Sequence, residues 1–105
     1  MRPRQDQVDQ FVRRIVEEVQ PLKIILFGSA ARGDMTPDSD VDVLVVMPEG
    51  THRRHTVEHL HQRMFGIELA LDIMVATPGD LERHRDNPGL IYREILKEGR
   101  EIYAA

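Results

Sequence analysis

Three aspartates stand where acids are costly. Asp40 and Asp42 lie two residues apart in Asp40-Val41-Asp42-Val43-Leu44-Val45-Val46, a segment that reads as a strand. Their carboxylates would leave one face about 6–7 Å apart. Asp72 interrupts Glu68–Ala76, which reads as a third strand with Leu69, Leu71, Ile73 and Val75 on one side and Ala70, Asp72 and Met74 on the other. If those two strands are neighbours, the three acids converge on one patch. Like charges at that range raise each other's pKa and weaken the fold unless a cation answers them. Oxygen ligands without His or Cys suit Mg²⁺, with Mn²⁺ as the alternative. A second chemical feature precedes them. Gly28-Ser29 ends the apolar run Leu22–Phe27 and opens Ala30-Ala31-Arg32, which can form a helical turn. Glycine lets a phosphate approach the backbone, and free N–H groups and the Ser29 hydroxyl can face it. The turn is neither a Walker loop, lacking Gly-Lys-[Ser/Thr], nor a G-x-G-x-x-G dinucleotide turn.

Elements that could position these groups follow from periodicity. Val8, Phe11, Val12, Ile15, Val16 and Val19 form one helical stripe, and Pro21 stops it. Leu22–Phe27 reads as a strand buried on both faces. Residues 51–65 predict a helix with Val57, Leu60, Met64 and Phe65 on one face and Gly66 past its end. Thr77-Pro78 and Asn87-Pro88 each read as an N-cap followed by a first-turn proline. The last helix should carry Leu90, Ile91, Ile95 and Leu96 inward and end at Gly99. The expectation is an α/β (α+β) fold with a small sheet of about three strands, in the order αβαβαβα.

Composition bounds the alternatives. The chain has 105 residues, expected to form one domain over 1–105, with 18 acids against 14 bases and a net charge of -4. An acidic balance argues against a duplex nucleic-acid clamp. No cysteine is present, which excludes thiolate metal sites and cysteine nucleophiles. No apolar run approaches a membrane span, and Met1–Asp6 carries no apolar signal stretch, so a cytoplasmic protein without membrane contact is expected. His55 and His59 stand four apart as in zinc helices, but no Glu follows the first His, and a solvated face is the better reading. Arg53, Arg54 and Arg63 have acids nearby and read as surface. Met47, Met64 and Met74 read as core filler, and Tyr92 and Tyr103 as half-buried rings with wet hydroxyls.

Taken together, Gly28-Ser29, ten intervening residues and Asp40-x-Asp42 resemble the signature of polymerase-beta-type nucleotidyltransferases. The string Phe27–Asp34 through Ser39–Asp42 looks most like the minimal nucleotidyltransferases, the MNT type of HEPN/MNT toxin–antitoxin pairs. Ala30 departs from the arginine often found there. The resemblance implies the nucleotidyltransferase fold and transfer of a nucleoside monophosphate, AMP from ATP, to a hydroxyl. It implies Asp40, Asp42 and Asp72 as catalytic metal ligands for two Mg²⁺ ions. Gly28 and Ser29 would seat the β- and γ-phosphates, with Arg32 at the leaving pyrophosphate and Ser39 capping the turn before Asp40. It further implies a separately encoded helical HEPN-type toxin as partner, with a homo-oligomer as another way to complete the site. The competing expectations are a non-catalytic nucleotide-binding protein that neutralises its partner by occlusion and the catalytic subunit of a two-chain small-molecule nucleotidyltransferase.

Overall fold

The computed structural model describes residues 3–36, 39–87 and 89–105. The apolar stripe of the first segment becomes α1 (Gln5–Val19), which buries Val8, Phe11 and Ile15. It ends where Gln20 turns left-handed, just before Pro21. β1 (Lys23–Phe27), α2 (Gly28–Arg32), β2 (Val41–Val46), α3 (Arg53–Arg63) and β3 (Leu71–Ala76) follow, then α4 (Pro78–His84), α5 (Ile91–Glu98) and β4 (Arg100–Ala104). The sheet runs β3-β2-β1-β4. β2 pairs parallel with β3, while β1 is antiparallel to both β2 and β4.

Strand alternation divides the interior in two. Ile24, Leu26, Val41, Val43, Val45, Ile73 and Val75 pack with α1 and with Leu60 and Met64 at the α3 end. On the other face Phe27, Leu44, Val46 and Ala76 enclose Ile95 of α5, with Leu81 and Tyr92 beside them. Continuous apolar strands are therefore buried on both faces, as their lack of strict alternation in hydropathy requires. Among the described residues no helix is long and apolar enough to cross a membrane.

Several details depart from the sequence expectation. The sheet has a fourth strand, β4, because Ile102 and Tyr103 pack against the first core while Arg100 and Glu101 stay exposed at the edge. Charged residues on an edge strand blunt further pairing and mask the strand pattern. The segment after β3 forms two helices, and only the first has the expected cap. α5 starts from Leu90 rather than Asn87, and Pro88 lies outside the described residues. Of the four apolar residues expected inward on α5, only Ile95 is buried. Leu90, Ile91 and Leu96 are 41–45% exposed, because this two-turn helix meets the sheet along one narrow line. Phe65 falls beyond the end of α3, in the turn, and is 77% exposed. Met47 and Met64 are buried, and Met74 packs against the second core.

α4 begins with a capping box. The Thr77 hydroxyl accepts from the Asp80 N–H at 3.2 Å, and the Asp80 carboxylate accepts from the Thr77 N–H at 3.0 Å. Asp80 is buried and also accepts from Arg53 at 2.6 and 2.7 Å and from Arg83 at 2.6 Å. Burial opposes its ionisation, but the bonds from Arg53 and Thr77 and the Arg53 charge prevail and hold its pKa down to about 2. Its stabilising contribution is present above the ordinary value of 3.8 and is lost as pH falls through about 2. Asp80→Asn is expected to cost about 2 kcal/mol at neutral pH, a deficit that shrinks as pH falls below 3.8 toward about 2. Urea unfolding at pH 7 and at pH 2.5 checks both parts.

Candidate active site

β1 delivers Phe27 opposite Asp42, and the chain turns directly into α2 at Gly28. Gly28 has φ +68°, and a Cβ added there would overlap the Asp42 carboxylate oxygen. Glycine is therefore required by both the left-handed backbone and the close approach of the acid. Ser29 follows within the helix, and its carbonyl closes the turn by accepting from the Gly33 and Asp34 N–H groups at 2.9 and 3.1 Å. Ser39 braces the entry to β2, its hydroxyl accepting from the Thr36 N–H at 2.9 Å.

The parallel pairing of β2 and β3 sets Asp42 directly opposite Asp72. Asp40 lies two residues earlier, immediately ahead of β2, and so continues the same alternation. Asp42 is half-buried, whereas Asp40 and Asp72 are exposed. Burial pushes the Asp42 pKa up, and the charges of Asp72, Asp40 and Glu94 push it further, against the pull of Arg32. The charges of Asp72 and Asp40 thus reach Asp42 at the mouth of the α5-covered sheet face.

Their donor set suits a hard divalent cation: carboxylate oxygens alone, one of them desolvated and repelled by its neighbours. Among the described residues no group of three or more His, Cys, Asp or Glu is gathered so as to hold a metal ion, and the acids form an open arrangement. Mg²⁺ ordinarily completes its shell with water and substrate phosphates around one or two carboxylates, so such an open arrangement fits it.

Arg32 ends α2 and points toward α5. Its Nε donates to Asp34 at 3.2 Å, and its Nη1 donates to Glu94 at 3.2 Å and lies 3.8 Å from Glu98. The sequence reading singled out Arg32 but missed its acidic partners. Glu94 and Glu98 are four residues apart on α5 and share one side, a signal that could have marked them. Several of the other basic and histidine residues are engaged elsewhere. His52 caps α3 by accepting from the His55 N–H, and His59 Nε2 is 2.9 Å from Glu18. Arg54 and Arg63 lie near Glu58 and Glu18 at 3.6 and 3.8 Å. Tyr92 stacks on His84, and Tyr103 sits in β4 opposite Ile24.

A short buried strand, a glycine turn into a helix, and acids on two adjacent parallel strands make up the candidate site. Comparison with known proteins places the chain accordingly. The model of the nucleotidyltransferase domain family matches residues 8–103, and the chain belongs to this family of nucleotide-transferring enzymes. Over 81 residues it is 71% identical to a Methanocaldococcus jannaschii protein named "Putative protein adenylyltransferase MJ0604", covering 77% of each chain. A crystal structure described as a putative nucleotidyltransferase from Sulfolobus solfataricus superposes with a TM-score of 0.65 at 20% identity, covering 94% of this chain and 78% of that one. A toxin–antitoxin crystal structure with AMP-PNP contains a chain with a TM-score of 0.57 at 16% identity, covering 95% of this chain and 73% of that one. At those identities the two structures speak to the fold, which is the nucleotidyltransferase fold.

Proposed function

We propose that this nucleotidyltransferase transfers AMP from ATP, with Mg²⁺, to a hydroxyl of a separately encoded helical protein of the HEPN type, as the antitoxin of that pair. The observation that carries the reaction is the in-register pair Asp42–Asp72 beside the positive-φ turn at Gly28. In the reaction the acceptor oxygen forms a bond to the α-phosphorus, the bond to the bridging oxygen breaks, and pyrophosphate leaves. Asp40, Asp42 and Asp72 would hold the metal. Bound there, Mg²⁺ would neutralise triphosphate charge and polarise the phosphoryl group. Gly28 permits the β- and γ-phosphates to approach the backbone, and Ser29 offers a hydroxyl to them. Arg32 contributes positive charge where pyrophosphate departs. Asp72, which is exposed, would take the acceptor's proton.

The name of the M. jannaschii relative supports a protein acceptor and an adenylyl donor, and the motif resemblance supports the helical partner. The test is incubation with ATP labelled at the α-phosphate, Mg²⁺ and the candidate partner, followed by intact-mass analysis. An AMP adduct on the partner is expected. A partner bound and silenced without an adduct would establish occlusion instead, and label on a small alcohol would establish a two-chain small-molecule enzyme. Nucleotide binding itself is read by melting. ATP with Mg²⁺ at about ten times Kd should add about 1.4 kcal/mol and raise Tm by roughly 5 °C or more. Unchanged melting at millimolar nucleotide would overturn the binding site.

A further inference from the structure

We infer that Glu94, on a helix remote in sequence from the catalytic motif, is a positioning residue that holds the Arg32 guanidinium at the phosphate end of the site. The inference rests on the proposed role of Arg32 and adds the group that orients it. Arg32 closes α2, whose first residues form the glycine turn, and Glu94 stands 62 residues further along the chain on α5. The Nη1–Oε1 distance is 3.2 Å, and the Nε edge of the same guanidinium is held by Asp34 at 3.2 Å. Two carboxylates on two edges define both the direction and the plane of the group, which a single tether leaves free to rotate. Glu98 adds a more distant contact at 3.8 Å on the same Nη1. α5 itself is fixed by Ile95, the next residue, which is buried against Phe27 and Leu44 on the sheet. The burial of Ile95 therefore sets where Glu94 stands, and Glu94 sets where Arg32 stands.

Arg32, Asp34, Glu94 and Glu98 are all partly exposed, so the Arg32–Glu94 pair contributes little to overall stability, and its consequence lies in orientation. A guanidinium held in advance loses less rotamer freedom on meeting a phosphate. Glutamine at position 94 can still accept from Nη1 through its amide oxygen, whereas alanine cannot.

Calorimetric Kd for ATP with Mg²⁺ and steady-state KM and kcat for transfer decide the matter in Glu94→Ala, Glu94→Gln, Arg32→Ala and the double variant Arg32→Ala/Glu94→Ala. Glu94→Ala is expected to raise Kd and KM about three- to five-fold with kcat within two-fold, and Glu94→Gln to restore nearly wild-type values. In the Arg32→Ala background, Glu94→Ala should have no further effect. Tighter nucleotide binding by Glu94→Ala would show that the carboxylate competes with phosphate and overturn the inference. So would an unchanged Kd, or a loss that persists without Arg32. Wild-type protein that binds ATP but shows none of these changes refutes the inference alone. Wild-type protein that binds no ATP refutes the functional reading beneath it.

Discussion

Asp42→Asn is expected to lower nucleotidyl transfer by about a thousand-fold or more while leaving the metal-free fold as stable as before or more so. The two halves of this expectation have one origin. Asp42 is the half-buried member of the cluster, and burial, Asp72 and Asp40 all make its ionised form costly. Its folded pKa lies above the ordinary 3.8, so its favourable contribution is complete only below that value and is lost as pH rises through the folded pKa. At neutral pH without metal, an ionised Asp42 works against folding. Asparagine keeps the shape, which matters because Gly28 packs directly on this side chain, and removes the charge. It also removes the anionic oxygen that a divalent ion needs. Thermal melting in chelator and transfer assays with Mg²⁺ measure the two halves. A marked fall in metal-free Tm, or transfer within ten-fold of wild type, would contradict the assignment of this cluster as the catalytic centre.

Gly28→Ala should damage both the fold and the chemistry. A left-handed φ of +68° costs a non-glycine residue about 1–2 kcal/mol before any contact is counted. The added methyl also meets the Asp42 carboxylate, so one of the two must move. A stability loss of about 1–3 kcal/mol, or roughly 5–15 °C in Tm, is expected, and transfer should be abolished even at temperatures where the variant is folded. Gly50→Ala is the matched control. Its φ of +87° imposes similar backbone strain, but nothing lies within 4 Å of the new Cβ. It should lose stability and keep transfer. Equal transfer by the two folded variants would show that the Gly28–Asp42 approach has no part in catalysis.

Much of the scaffold was legible because its signals are local. The 3–4 spacing from Val8 to Val19 defines a helix whichever partner covers it, and α1 spans it. Thr77-Pro78 specifies its own cap through Asp80 three residues on. The same reasoning failed where the neighbourhood decided. Asn87 resembles Thr77 as a cap, yet α5 begins after it. Leu90, Ile91 and Leu96 have the hydropathy of core residues, but burial depends on how much of a helix meets the sheet, and α5 meets it chiefly at Ile95. β4 exists as a strand because β1 offers it an edge to pair with.

The sequence by itself determined the chemical vocabulary of this protein: a glycine that tolerates left-handed backbone, a serine after it, and two acids two residues apart at the start of a strand. Those properties belong to residue type and to spacing of one or two positions, which backbone geometry converts directly into direction. Tertiary structure alone decided that Asp72 lies across from Asp42, that Gly28 abuts the Asp42 carboxylate, and that Glu94 reaches Arg32. Each of those depends on strand register or helix docking between distant segments. A shift of one residue in the β2–β3 pairing would preserve every local pattern and take Asp72 out of line with Asp42.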